Sequence, residues 1–361
     1  MASQPRPEII FFTYPESVFG RRLQRYLNLR SMPYTTLRVP PHMPRPVLAS
    51  LGINHRRIPI LSLGRDIYID TKLIIRKLET LCPEGKLGSD AGFEQGFERM
   101  LEDWVNNGGP FWRTAGCVPV SAPLVQSDVW MKDRADGSGG HFSRDTLKND
   151  RGWNLSQVRS YFGMMELMLS DGRTWLLNTE RPGLAEVHGC WVYDWGISMG
   201  SVMDVEDGEM DASVEDMAEV LSEKEFPYVH AWVKRFGEAC DEAAAKNRNG
   251  GHKQMLEGAE AESEMVKKIL GGDFAEKDEG LIVGESDPLG LKRGQRVTIA
   301  PTDFGFTHSD EGVLVALGRD EVVIEVDVTK ETGNGELRLH FPRLAYKIVP
   351  VEGAEKQKER V

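Results

Sequence analysis

The 361-residue chain is poor in several things. It has four cysteines, Cys82, Cys117, Cys190 and Cys240, with no CxxC pair and no metal-ligand spacing among them. That excludes a disulfide framework and a thiolate metal site, and free thiols in a reducing compartment account for them. A basic excess is also missing: 56 Asp and Glu face 44 Lys and Arg, a net charge of −12. This balance argues against a nucleic-acid partner, whose footprint is a basic patch, and against an anionic membrane surface. No apolar run approaches the ~18 residues of a membrane span. Met1 to Pro7 carry no apolar signal core, so a cytoplasmic protein is expected. What is present is an ordinary globular composition, 40% hydrophobic and 28% charged, at a length that suits two or three domains.

Residues 8–82 read as a small α/β unit. Ile9-Ile10-Phe11-Phe12 is a continuous apolar run suited to a strand buried on both faces. Phe19, Leu23, Tyr26 and Leu27 then share one helix face, and Pro33 ends that helix. Tyr34 to Val39 suits a second, parallel strand. Ile58 to Leu63 and Asp66 to Ile69 form a hairpin around Gly64-Arg65, and Thr71 to Leu81 a closing helix. This βαβ–ββα order is thioredoxin-like. Residues 90–271 are mainly helical, with apolar stripes through Val158, through Trp191 and through Trp232 that require a bundle. Asp133 to Gly140 reads as a glycine-rich loop, and Asp204 to Glu225 as a solvated loop or exposed helix. Gly272 to Pro288 reads as a charged linker. Residues 288–350 then hold four or five short strands with turns at Gly318-Arg319-Asp320 and Gly333-Asn334-Gly335, which suggests a small all-β SH3-like barrel. Val351 to Val361 is expected to be a disordered charged tail.

Three spaced motifs stand out. Ser17-Val18-Phe19-Gly20-Arg21-Arg22-Leu23 places a hydroxyl at a helix entrance. Arg57-Ile58-Pro59-Ile60 is a strand opened by proline. Asp70-Thr71 is an acid-hydroxyl pair at a helix start. With these motifs, residues 8–250 resemble the glutathione transferase superfamily. More narrowly, Arg56 to Leu61, Gly64 to Thr71, Leu184 to His188 and the Asp287-Pro288-Leu289-Gly290-Leu291 run resemble a fungal group of transferase-like proteins.

The resemblance implies a glutathione-dependent enzyme. In the cysteine- and serine-type members the catalytic residue occupies the helix entrance, here Ser17. A free thiol is only a few per cent thiolate at neutral pH. A hydroxyl hydrogen bond and a helix N-terminus both stabilise the thiolate. Tyr14 is the rival donor, since other members use a tyrosine near the end of the first strand. The absence of cysteine at position 17 disfavours mixed-disulfide chemistry. Phe19, Arg57, Ile58, Pro59, Asp70 and Thr71 are the candidate glutathione-binding residues. A cis Pro59 would present the Ile58 backbone to the cysteinyl part, and Asp70-Thr71 would hold the γ-glutamyl end in place of the usual Glu-Ser. One of His55, Arg56 and Arg57 could reach the glycyl carboxylate, with His42 of similar standing. Phe111, Trp112, Trp130 and Trp153 are candidates for an apolar acceptor pocket. No metal is expected. The partners implied are a small electrophilic substrate and a second copy of the chain in a homodimer. Conjugation, isomerisation and elimination all stay open. The alternatives are a non-catalytic glutathione- or ligand-binding protein and a glutathione-independent enzyme that uses the interdomain pocket.

Overall fold

The run Ile9 to Phe12 forms β1 (Ile9–Thr13), and the helix that follows, α1 (Val18–Leu29), leads to β2 (Thr35–Arg38), parallel to β1. The computed structural model describes residues 8–200, 212–250, 255–284, 286–330 and 333–351. A short α2 (Pro46–Ser50) starts on a proline, whose missing N–H is harmless in a first helical turn. β3 (Ile60–Leu63) and β4 (Asp66–Ile69) form the expected hairpin, and α3 (Thr71–Leu81) closes the unit. Gly64 makes the turn at φ +57°, and a Cβ there would lie 2.0 Å from the Asp273 carbonyl oxygen, so only glycine fits.

The helical region comprises α4 (Gly92–Asn107), α5 (Pro110–Ala115), α6 (Pro123–Gln126), α7 (Asp128–Gly137), α8 (Arg144–Asn149), α9 (Arg151–Leu169), α10 (Leu184–Met199), α11 (Ala212–Val220), α12 (Pro227–Gly250) and α13 (Ala259–Leu270). The three apolar stripes lie on α9, α10 and α12 and meet as a bundle. Phe162 and Tyr193 have ring centroids 4.9 Å apart, and Tyr193 and Trp232 5.9 Å. One expectation changes here. Asp133 to Gly137 are the last turns of α7, not a loop, because Ser127 caps that helix through the Trp130 N–H. Of the acidic stretch Asp204 to Glu225, residues 204–211 lie outside the described residues, and α11 occupies part of the rest. The expected disordered tail, residues 352–361, also lies outside them.

The C-terminal strands are β5 (Arg296–Pro301), β6 (Asp310–Leu317), β7 (Glu321–Lys330), β8 (Gly333–Pro342) and β9 (Tyr346–Pro350). They do not close into the expected barrel. They extend the N-terminal sheet into one nine-stranded open sheet of order β2-β1-β3-β4-β8-β7-β6-β5-β9. Among the described residues β9 pairs with β5 alone. β8 runs parallel to β4, with Asp66 opposite Arg338 and Tyr68 opposite His340. The strands therefore use their free edge to cover β4, which would otherwise present an unpaired ladder.

A buried polar network fixes this register. His340 contacts Asp66 through Nε2 at 3.0 Å and Glu321 through Nδ1 at 2.7 Å. The stretch expected to be a linker is also packed here: Glu276 accepts from Lys77 at 2.8 Å and from the Tyr68 hydroxyl at 2.9 Å.

Alternation along the N-terminal strands divides two cores. Ile9, Phe11, Leu61, Leu63 and Tyr68 face α1, α3 and the bundle. Ile10, Phe12, Ile60, Ile67 and Ile69 face α13 and the inner residues of the C-terminal strands, among them Val297, Leu339 and Phe341. Two buried faces explain why β1 reads as an unbroken apolar run.

Candidate functional site

One cavity of about 790 Å³ lies where the α/β unit, the helices and the β5–β6 loop meet. Its lining includes Tyr14, Ser17, Phe19, Arg57, Ile58, Pro59, Asp70, Thr71, Phe111, Trp112 and Trp130. These residues are scattered over more than a hundred positions, and the fold brings them to one wall or another of a single space.

Ser17 sits at the entrance of α1. Its Oγ accepts the Gly20 N–H at 3.0 Å, the bond of an N-cap. The hydroxyl can accept there and still donate its proton elsewhere. Gly20 permits the close approach: a Cβ would lie 2.1 Å from Thr13 Oγ1 and 3.1 Å from Ser17 Oγ. Tyr14, one turn earlier, has its hydroxyl 3.5 Å from Arg134 Nη2. The Ile58–Pro59 peptide is cis.

Asp70 caps α3, its Oδ1 accepting the Lys72 N–H at 3.1 Å. Its other oxygen lies 3.4 Å from Arg57 Nη1 and 3.5 Å from the Tyr346 hydroxyl. Burial pushes the Asp70 carboxyl up, but Lys72 and Arg57 outweigh it and hold the group below its ordinary range. Thr71 Oγ1 accepts from the buried Arg22 at 3.3 Å. Arg22 also binds Glu102 at 2.6 Å and His188 Nδ1 at 2.5 Å. Burial, with Arg22 and Arg76 nearby, drives the His188 pKa down to about 4 against the pull of Glu102. A ring that accepts from Arg22 is the neutral one.

The three basic residues ahead of Pro59 are committed to other parts of the chain. His55 is fully enclosed, with Nδ1 3.4 Å from Asp310 and Nε2 3.3 Å from the Tyr346 hydroxyl. Arg56 lies between Asp133 at 2.9 Å and Asp136 at 2.6 Å. Arg57 donates to the Phe304 carbonyl at 2.9 Å and is ion-paired with Asp303. His42 contacts the neighbouring Met43 carbonyl at 3.0 Å and does not line the cavity.

The aromatic wall is continuous. Phe19 packs on Phe111 at 4.9 Å, Phe111 on Trp112 at 4.8 Å, and Trp112 faces Phe304 at 6.4 Å. Trp130 is stacked beneath Arg134, 4.9 Å from its guanidinium. Trp153 is elsewhere: it is half exposed, against Arg113, and does not line the cavity. Three of the thiols are poor nucleophiles, since burial pushes Cys190 up, Cys117 up to about 11 and Cys240 up to about 12.

Sequence reasoning missed the contribution of the β5–β6 loop. Asp303 and Phe304 line the cavity, and Gly305 N–H donates to the Gly137 carbonyl at 2.7 Å. A Cβ at Gly137 would lie 2.8 Å from the Phe304 ring, so the loop seats directly on α7. No pattern in the loop marks it, because its role depends on a strand order the sequence does not state. Lys72 was within reach of the motif, directly after Asp70-Thr71, yet its side chain reads as an ordinary helix cation.

Residues 11–86 match the family model described as the glutathione S-transferase N-terminal domain, and residues 113–245 match a domain of unknown function, DUF7962. Among the curated proteins none matches. Among solved structures, a GST-like protein from Pseudomonas syringae is similar with a TM-score of 0.65 at 19% identity, over 95% of this chain and 99% of that one. A Tau class glutathione S-transferase from mango, Mangifera indica, has a TM-score of 0.46 at 13% identity, over 73% of this chain and 98% of that one. The coverage of the Pseudomonas syringae structure takes in the C-terminal strands, so they are part of a shared fold. The N-terminal match and this fold support the glutathione transferase superfamily.

Proposed function

We propose that the chain is a glutathione transferase-like enzyme that activates the glutathione thiol beside Ser17 and delivers it to a small electrophile. The observation that carries this reading is the convergence of Ser17, the Ile58 backbone, Asp70 and Thr71 on one cavity whose other wall is aromatic. The thiol lies at the α1 entrance and loses its proton to solvent. Ser17 O–H donates to the thiolate, and the partial positive charge of the α1 N-terminus adds to the effect. The sulfur lone pair then forms a C–S bond to the acceptor, whose displaced electron pair is taken by a proton or a leaving group. Ile58 pairs with the cysteinyl backbone as a strand would. Phe111, Trp112 and Trp130 receive the apolar acceptor. Conjugation is the basic reaction. Isomerisation or elimination follows if the acceptor chemistry allows the thiolate to leave again.

A cytoplasmic homodimer belongs to this reading, and the mass of the protein in solution tests the dimer. Retention on immobilised glutathione, followed by a thiol-conjugation assay of wild type, Ser17→Ala and Tyr14→Phe, tests the chemistry. Absence of any glutathione binding would sink it. Loss of turnover in Tyr14→Phe but not in Ser17→Ala would move the thiol donor to Tyr14.

A second reading, a binding protein without turnover, is favoured by one observation. Arg57, a candidate for a substrate carboxylate, already holds the carboxylate of Asp303. Binding of glutathione with no turnover of any electrophile would select it.

A further inference from the structure

One ring on the cavity comes from the C-terminal strands. Phe304 stands on the β5–β6 loop, is partly exposed and lines the cavity. Its position is held from two sides. Toward the thiol end, its own carbonyl accepts from Arg57 Nε at 2.9 Å, and the preceding Asp303 is ion-paired with the same guanidinium. Toward α7, the Gly305 N–H donates to the Gly137 carbonyl at 2.7 Å, and the Thr307 hydroxyl donates to Asp136 at 3.0 Å. Gly305 has φ +84°, which lets the chain turn there without strain. The ring lies 5.5 Å from the Arg56 guanidinium and 5.4 Å from that of Arg134. A side chain anchored and packed in this way has little freedom left to lose when a ligand binds.

Phe304 therefore joins the two ends of the site. Its backbone is tied to Arg57, the residue ahead of the Ile58–Pro59 bond. Its ring faces Trp112 of α5 at 6.4 Å, with the planes tilted by 46°. Aromatic walls discriminate by shape and by electrons. A flat π-system gains offset or edge-to-face contact beyond the area it buries, whereas a saturated ring of the same size gains the area contribution alone.

We propose that Phe304 is a specificity-determining residue of the acceptor site, and that through it the C-terminal half of the sheet selects flat aromatic electrophiles over saturated ones of equal size. This inference rests on the glutathione reading above and adds to it the residue outside the helical wall that chooses the acceptor.

Titration calorimetry on the full chain tests it with three probes: glutathione, S-benzylglutathione and S-(cyclohexylmethyl)glutathione. The last two carry the same carbon skeleton, one flat and one puckered. Wild type should bind the benzyl probe about threefold or more tightly than the cyclohexylmethyl probe. Phe304→Leu keeps an apolar side chain and removes the ring. It should weaken the benzyl probe about threefold to tenfold and leave the other two within about twofold. Phe304→Tyr should keep the wild-type preference. A purely structural role would weaken all three probes alike in Phe304→Leu and would overturn the inference, as would an unchanged preference in that variant. Equal or reversed preference in wild type overturns it too, while the glutathione reading stands. That comparison needs no variant, so it can overturn the inference even where a substitution prevents folding. Binding of none of the three by wild type overturns both.

Discussion

The two halves of the nine-stranded sheet contribute to the same cavity in different ways. From the N-terminal half come Arg56, Arg57 and Lys72 together with the carboxylates of Glu16 and Asp70, and from the loop at the end of β5 comes the carboxylate of Asp303, which pairs with Arg57. Asp310, at the start of β6, lies 3.4 Å from His55 Nδ1. The N-terminal half carries every motif that pointed to thiol chemistry. The C-terminal half carries no such motif, yet it supplies the partners of those motif residues. The C-terminal strands are therefore a wall of the site and of the core. A module tethered beside a finished enzyme would leave His55 and Arg57 free for substrate.

The most severe test of that view is Phe341→Ala. Phe341 is fully buried in the core shared by both halves of the sheet. Deleting its ring should cost about 3–5 kcal/mol. All eight tryptophans lie between Trp104 and Trp232, so their fluorescence reports the helical region alone. One cooperative unit predicts that the tryptophan transition in denaturant shifts with the mutation. A transition left in place would mean that the strands unfold as a separate body. Next in size is Ser17→Ala, which should lower kcat/KM about 10²–10³-fold, the scale of losing one donor to a developing anion. It should also cost about 1 kcal/mol of stability through the lost cap. A stability loss without a rate loss would leave Ser17 as a cap only.

The same contrast governs how much of the molecule was legible. β1 to β4 could be read because periodicity, the Gly64-Arg65 turn and Pro59 are local signals. The helices of the bundle could be read from the stripes through Val158, Trp191 and Trp232. The strands of the C-terminal half were legible one at a time, but their closure was not. A barrel and an open sheet need the same short strands and turns. The choice between them is made by Asp66, Tyr68 and His340 pairing across more than 270 residues. Candidate site residues were legible where a backbone role and a chemical role coincide, as at Ser17 and Asp70. Asp303, Phe304 and Tyr346 have no such local mark. Trp153 looked equivalent to Trp112 in the sequence, yet Trp112 lines the cavity from α5 while Trp153 stands on α9 against Arg113.

Two buried histidines extend the comparison to pH. His188, in the helical half, has its pKa driven down to about 4, chiefly by burial. An unfolded histidine takes its proton near 6.5. Between those values the unfolded chain binds more protons, so stability falls as pH falls, by about 3 kcal/mol in all. His340, at the junction of the sheet halves, goes the other way. Burial opposes its charge, but Asp66 and Glu321 outweigh it and raise its pKa. Its contribution is fully present below about 6.5 and is lost as pH rises through the raised value. Denaturation midpoints measured across pH should lose their acid-side fall in His188→Asn and their alkaline-side fall in His340→Asn. The same profile in both variants would contradict the opposite signs.

The smallest expected effect bears most directly on the cavity. Asp303→Asn removes the carboxylate that the β5–β6 loop places on Arg57, a pair in which both side chains are partly exposed. Such a pair is worth at most about 1 kcal/mol, so stability should hardly change. Binding should change, and its direction decides between two roles for Asp303. If Arg57 takes a substrate carboxylate, Asp303 competes with it, and glutathione should bind up to about fivefold more tightly to Asp303→Asn by calorimetry. If instead Asp303 holds Arg57 in a productive orientation, affinity should fall by a similar factor. An affinity gain would make the C-terminal loop a built-in competitor that tunes the site downward. An affinity loss would make it a positioning element, and the two halves of the sheet would then be joint owners of one binding residue.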